Sequence, residues 1–139
     1  MSWEKDDLIP ATEITDKVTS VTVDFAERFG MYLAEGDKRV APIPLTTSQL
    51  RKFFGEVKRQ QMTGYRETDF VMLKPKLAYA VGRAKANEKG KAVKIEDFYW
   101  VMADAIDKVN RAANKEVAFK NFITFFEAVV AYHKAWEKK

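Results

Sequence analysis

Apolar positions recur at three- and four-residue steps through most of the chain, a spacing that predicts helices. Val18, Val21, Phe25, Phe29 and Tyr32 share one such face, so a helix of about four turns is expected, ending near Gly36. The stretch VTSVTV has strand propensity, but its alternation stops after Val23 while the helical spacing runs on to Leu33. GDKRVAPIPL, from Gly36 to Leu45, holds two prolines and no periodicity, and reads as a basic, mobile linker. In TTSQLRKFF, Thr46 is placed to cap a helix and Gln49, three residues on, to close a capping box, so the next helix should run from Thr47 to Met62. A break at TGYRETD leads to FVMLKPKLAYAVGRAKANEKG, where Pro75 either kinks one helix or occupies the first turn of another, with Gly90 as a stop. Helices from Ile95 to Asn110 and from Glu116 to about Lys138 complete the pattern.

The first 16 residues show no period and read as an irregular acidic arm, in which Trp3, Leu8 and Ile9 are the side chains able to dock. No segment alternates as a strand should. The expected fold class is therefore all-α, a single helical domain over residues 1–139 built as a bundle of about five helices, without internal repeats.

Composition narrows the function classes. With 139 residues, 47% hydrophobic and 32% charged, the chain can form one globular core. The absence of cysteine excludes disulfides, thiolate metal sites and a cysteine nucleophile, and fits a reducing compartment. The acidic start lacks an apolar leader and no apolar run has membrane-spanning length, so a cytoplasmic protein is expected.

Charge changes the picture more than composition does. Residues 1–37 carry 3 basic and 9 acidic side chains, residues 38–94 carry 14 and 4, and residues 95–139 carry 7 of each. The net values are −6, +10 and 0, which together give the chain's +4. A basic block of this kind attracts polyanions unless its cations sit on unrelated solvated faces.

Helical projection sharpens the choice. At about 100° per residue from Leu50, the apolar side of that helix holds Leu50, Phe53, Phe54 and Val57, while Lys58, Arg51, Arg59 and Lys52 fall between about 80° and 200°. Gly55 lies among these cations at about 140°. It leaves room either for a phosphate backbone to approach or for a neighbouring helix. From Leu77, the core stripe is Leu77, Ala80, Val81 and Ala84, with Tyr79, Arg83 and Lys76 together on another side and Gly82 adjoining them. A tyrosine between two cations suits a single-stranded nucleic acid, the ring stacking on a base while Lys76 and Arg83 reach phosphates. A half-buried tyrosine with its hydroxyl at the rim is the plainer alternative.

The later helices carry different signals. Phe98, Tyr99, Met102, Ile106 and Val109 form a core face, and Glu96, Asp97, Asp104 and Asp107 lie opposite, with Trp100 among them. A tryptophan there suggests contact with another subunit, and Asp104 belongs to the same candidate surface. The four carboxylates lack a histidine and a ligand spacing, so they read as a solvated acidic face rather than as a metal or acid–base site. The last helix holds Phe119, Phe122, Phe125 and Phe126 over a wide arc, which places it at the bundle centre. His133, the single histidine, falls in that apolar sector and reads as a hydrogen-bonded core residue rather than a catalyst. Lys120, Glu127 and Lys134 repeat on the opposite side as surface or interface charges. Phosphate loop, dinucleotide fingerprint, histidine pair and nucleophile elbow are all missing, so neither an enzyme nor a cofactor is expected.

LTTSQLRKFF, MLKPKLAYAVGR and FFEAVVAYHK, together with KIEDFYWVMADAI, resemble the characteristic segments of the small helical subunit of Csm-type, type III-A CRISPR interference complexes. The likeness covers roughly residues 45–134. It implies a noncatalytic protein present in several copies, packed beside guide-binding backbone subunits and near the large subunit, which touches guide and target RNA through the backbone while guide pairing supplies sequence choice. The matching motifs put forward Arg51, Lys52, Lys74, Lys76 and Arg83 as RNA contacts, whereas Lys58, Arg59 and Tyr79 come from the face projection. The rival expectation is a helical interaction scaffold whose basic face meets an acidic protein surface, including head-to-tail contact between copies through the region of Trp100.

Overall fold

A computed structural model describes residues 3–137, which form seven helices and no strand. Five are long: α2 (Ser20–Ala34), α3 (Thr47–Thr63), α5 (Leu73–Asn87), α6 (Lys94–Arg111) and α7 (Lys115–Trp136). Two are single turns, α1 (Ala11–Thr15) and α4 (Glu67–Val71). The all-α bundle and its five principal helices agree with the periodicity. The expected end of the last helix at Lys138 lies outside the described residues.

The centre is the crossing of α2 and α7. Phe122, Phe125, Phe126 and Val129 of α7 are fully enclosed, as are Phe29 and Leu33 of α2. Rings continue outward from Phe126, which meets Phe53 edge-on at 5.3 Å and stacks parallel to Phe122 at 6.4 Å between centroids. Gly30 makes the crossing possible. A Cβ there would lie 2.7 Å from Cβ of Tyr132 and 2.9 Å from the backbone nitrogen of His133, so only glycine fits. His133 is itself fully buried, and its Nε2 sits 2.6 Å from the Leu45 carbonyl. A carbonyl can only accept, so Nε2 carries the proton, and Nδ1 remains buried without a partner.

Local signals in the sequence are met at several places. Thr46 and Gln49 form the full capping box of α3. Pro75 falls in the first turn of α5, where a missing N–H costs nothing. Gly90 has φ of +83° just beyond the end of α5, and its N–H donates to the Lys85 carbonyl.

Other expectations need correction. The arm is not simply irregular, since it contains α1 and buries Ile14 fully, while Trp3, Leu8 and Ile9 dock on the core as expected. Trp3 packs on Phe29 at 4.8 Å and donates its indole N–H to the Asp7 carbonyl. Glu13 is buried, yet accepts from the N–H and hydroxyl groups of both Thr19 and Thr22, closing the N-terminus of α2. Val21, expected on the core stripe, is 47% exposed, and Thr22 takes the inward place because its hydroxyl meets Glu13. The 36–45 linker is fixed along its second half. Ile43 and Leu45 are buried, Ile43 bridges to the α5–α6 turn through Ala92 and Lys94, and the Leu45 N–H donates to Leu33. Lys94 is buried because its ammonium donates to the Tyr32 and Glu35 carbonyls at the end of α2.

Candidate nucleic-acid interface

α3 and α5 lie side by side on the outside of the bundle, and the period that sinks Leu50, Phe53 and Val57 on one helix and Leu73, Leu77 and Val81 on the other sets their polar flanks facing one groove. That groove is about 490 Å³. Lys52 lines one wall, and Lys76, Tyr79 and Arg83 line the other. Four of the eight residues named from sequence as RNA contacts therefore converge.

The remaining four distribute around it. Arg51 is exposed on the far side of Gly55 from Lys52. Arg59, one turn on, donates to Glu56 at 2.5 Å. Lys58 turns toward α7, where it pairs with Glu127 and its ammonium lies 5.5 Å from the Phe54 ring centroid. Lys74 turns toward α6 and pairs with Asp107 at 2.7 Å. Lys58 and Lys74 thus belong to other faces than the groove.

The two glycines have an explanation in the same geometry. A Cβ built at Gly55 or at Gly82 meets nothing within 4 Å, so neither position is shaped by a neighbouring helix. The helix-contact reading belongs to Gly30 instead. Gly55 leaves a bare strip of backbone between Arg51 and Lys52, and Gly82 does the same beside Tyr79 and Arg83.

Glu56 was not singled out by the sequence reading. It lines the groove, accepts from Arg59 and Gln60, and lies 3.7 Å from the Lys76 ammonium. The hydrogen bond from Arg59, then that from Gln60 and the charge of Lys76, pull its carboxyl down to about 2 against the opposing effect of burial. It remains an anion that positions the surrounding cations. The signal was present, since Glu56 stands at i,i+3 from Arg59 and i,i+4 from Gln60.

On α6 the acidic face stays partly exposed, but its carboxylates are paired rather than free. Glu96 pairs with Lys85 at 2.5 Å, Asp97 accepts from the Tyr32 hydroxyl at 2.6 Å, Asp104 pairs with Lys108, and Asp107 with Lys74. Each carboxylate has its own donor because cations from α5 and α6 and a hydroxyl from α2 reach that face. Burial chiefly raises the Asp97 carboxyl, and burial together with the Asp97 hydrogen bond raises the Tyr32 phenol, so the proton stays on the tyrosine. Trp100 is half exposed and contacts Tyr99 edge-on. With Asp104 it lines a shallow hollow that includes Leu8 and Ala103.

Fold and site together define an all-helical module with an aromatic core and a cation-rimmed outer groove. The chain belongs to the Csm2 Type III-A family, whose model matches residues 16–139. That family is the small subunit of the type III-A CRISPR Csm complex, so the chain is built to assemble with other subunits. The match includes both walls of the groove and starts after Ile9 and Ile14. No curated protein and no solved structure matches the chain. Among the described residues, no helix is long and apolar enough to cross a membrane.

Proposed function

We propose that the chain is a noncatalytic, RNA-contacting small subunit of a Csm effector, present in several copies, whose α3–α5 surface holds the guide–target RNA by its phosphates and reads no sequence. The observation carrying this is the convergence of Lys52, Lys76 and Arg83 on one groove, with open space over the backbone of the same two helices at Gly55 and Gly82. Arg51 extends the track across Gly55. Arg59, Lys58 and Lys74 contribute less, because each must loosen a carboxylate pair first; at exposed sites such a pair is worth only ~0–1 kcal/mol, so the pairing weakens their role without removing it. Trp100, beside Asp104, supplies a separate surface for a neighbouring subunit.

Fluorescence anisotropy of the full chain with unrelated single strands tests the proposal. Binding should be weak, insensitive to sequence and steeply salt-dependent. Replacing Arg51, Lys52, Lys76 and Arg83 by glutamate should flatten the log–log salt slope by about 3, four phosphate contacts at roughly 0.7 each. An unchanged slope and affinity would overturn the assignment.

A further inference from the structure

The α3–α5 groove has a floor as well as a rim. Phe53, Leu77, Ala80 and Ile95 line it beneath the cations, and its volume of about 490 Å³ lies in the range of small-ligand sites with a few polar groups at the edge. Phosphates remain hydrated and meet cations at the rim, so a backbone alone gains nothing from an apolar floor. A nucleobase does gain from one. Tyr79 stands on the wall with 68% of its surface exposed and makes no ring contact among the described residues, leaving a π-face open beside Lys76 and Arg83.

We infer that the groove takes one unpaired RNA base, stacked on Tyr79 over the apolar floor, with its flanking phosphates on Lys52, Lys76 and Arg83. This rests on the backbone-binding reading above and adds the base to it. Charge complementarity selects a nucleotide: three cations face one carboxylate, and Glu56 is engaged by Arg59 and Gln60 and reaches Lys76 only at 3.7 Å. A base inside a continuous duplex has both faces covered by its neighbours, so the occupant is an unpaired nucleotide. Gln49 Oε1 accepts from the Thr46 N–H, and stacking on Tyr79 is available to every base.

The test uses the full chain and three labelled RNAs: a paired duplex, the same duplex with a one-nucleotide bulge, and that bulge made abasic. The base-bearing bulge should bind about tenfold more tightly than the other two. Tyr79→Ala should erase that preference and leave the paired duplex unchanged, while Tyr79→Phe keeps it. Tyr79 is exposed, and unchanged helicity by circular dichroism will show that the alanine variant is folded. Equal binding of the basic and abasic bulges, or an equal loss on all three RNAs in Tyr79→Ala, overturns the inference while the backbone reading stands. A Lys52→Glu, Lys76→Glu, Arg83→Glu variant that binds the paired duplex as well as the parent overturns the backbone reading and the inference with it. Displacement of every RNA by a polyglutamate peptide, with no preference for the bulge, makes the groove an acidic-protein dock and also overturns the base pocket.

Discussion

The α2–α7 crossing and the α3–α5 groove are made from the same kind of element and treat empty space in opposite ways. At the crossing, Gly30 removes a side chain so that two helices can touch, and the space it leaves is filled by Tyr132 and His133. At the groove, Gly55 and Gly82 remove side chains and nothing of the protein fills the space. A glycine in mid-helix is unfavourable by about 0.5–1 kcal/mol relative to alanine, so both regions carry that cost. Only the crossing recovers it through contacts within the described residues. At the groove, the counterpart in the proposed function is an RNA backbone lying on the bare strip between the cations.

The largest break in this comparison is Gly30→Ala. The added Cβ cannot be absorbed by a flexible tip, since two of the atoms it meets, His133 N and Val129 O, are helix backbone. α2 and α7 must part, which loosens the Phe25–Phe125 contact and the hydrogen bond from His133 to Leu45. Overpacking of this sort costs about 1–3 kcal/mol. Urea denaturation should show the loss as a lowered midpoint; an unchanged midpoint would mean that the crossing is not close-packed.

Carboxylates draw the same distinction at a smaller scale. Glu13 lies within the fold and is satisfied by Thr19 and Thr22; Glu56 lies at the groove and is satisfied by side chains that also face outward. Burial raises the Glu13 carboxyl, but the Thr22 and Thr19 hydrogen bonds outweigh it and the net value is lowered. A lowered folded value means stability that is present above the unfolded pKa and is lost as pH falls through the folded one. Both carboxylates therefore favour unfolding in acid, Glu56 over the interval from the ordinary carboxylate range down to about 2. Glu13→Gln should cost about 1–2 kcal/mol at neutral pH, because an amide nitrogen would face donors, and should flatten the acid limb of stability against pH. Glu56→Gln should change stability less and raise RNA affinity, by releasing Arg59 and Lys76. Equal stability losses in the two variants would erase the distinction.

Much of this architecture is readable from the sequence, for a physical reason. Long helices declare themselves by apolar period, and the Thr46–Gln49 box is a contact over three residues. Gly30 also had a signal, since it lies on the apolar arc with Ala26 and Leu33, whereas Gly55 lies among cations. What escapes is held by distant partners. The apolar residues Trp3, Leu8 and Ile9 mark the arm as able to dock. The places where it docks are set by Lys108 at Ile9 and Asn121 at Ile14, each about a hundred residues away, so no local signal shows them. The α6 carboxylates share a face that projection finds, but Lys74, Lys85 and Tyr32 come from other helices. At the groove, the cations and Tyr79 were legible while the apolar floor was not, because it exists only once α3, α5 and Ile95 of α6 are placed together.

The smallest expected effect separates the two regions most cleanly. Gly55→Ala places a methyl group where no atom lies within 4 Å, so the folded state loses no contact and the helix gains intrinsic propensity. Stability should rise by about 0.5–1 kcal/mol, opposite in sign to Gly30→Ala, and thermal unfolding of the two variants side by side will show it. A methyl group is small enough for a phosphate to pass, so RNA affinity should fall little. Gly55→Leu keeps the gain in helix propensity but stands in the path between Arg51 and Lys52, and should weaken RNA binding while leaving the protein at least as stable as the parent. A leucine variant that is more stable and binds RNA as well as before would show that the bare strip at Gly55 has no partner, and the contrast between the two glycines would reduce to packing alone.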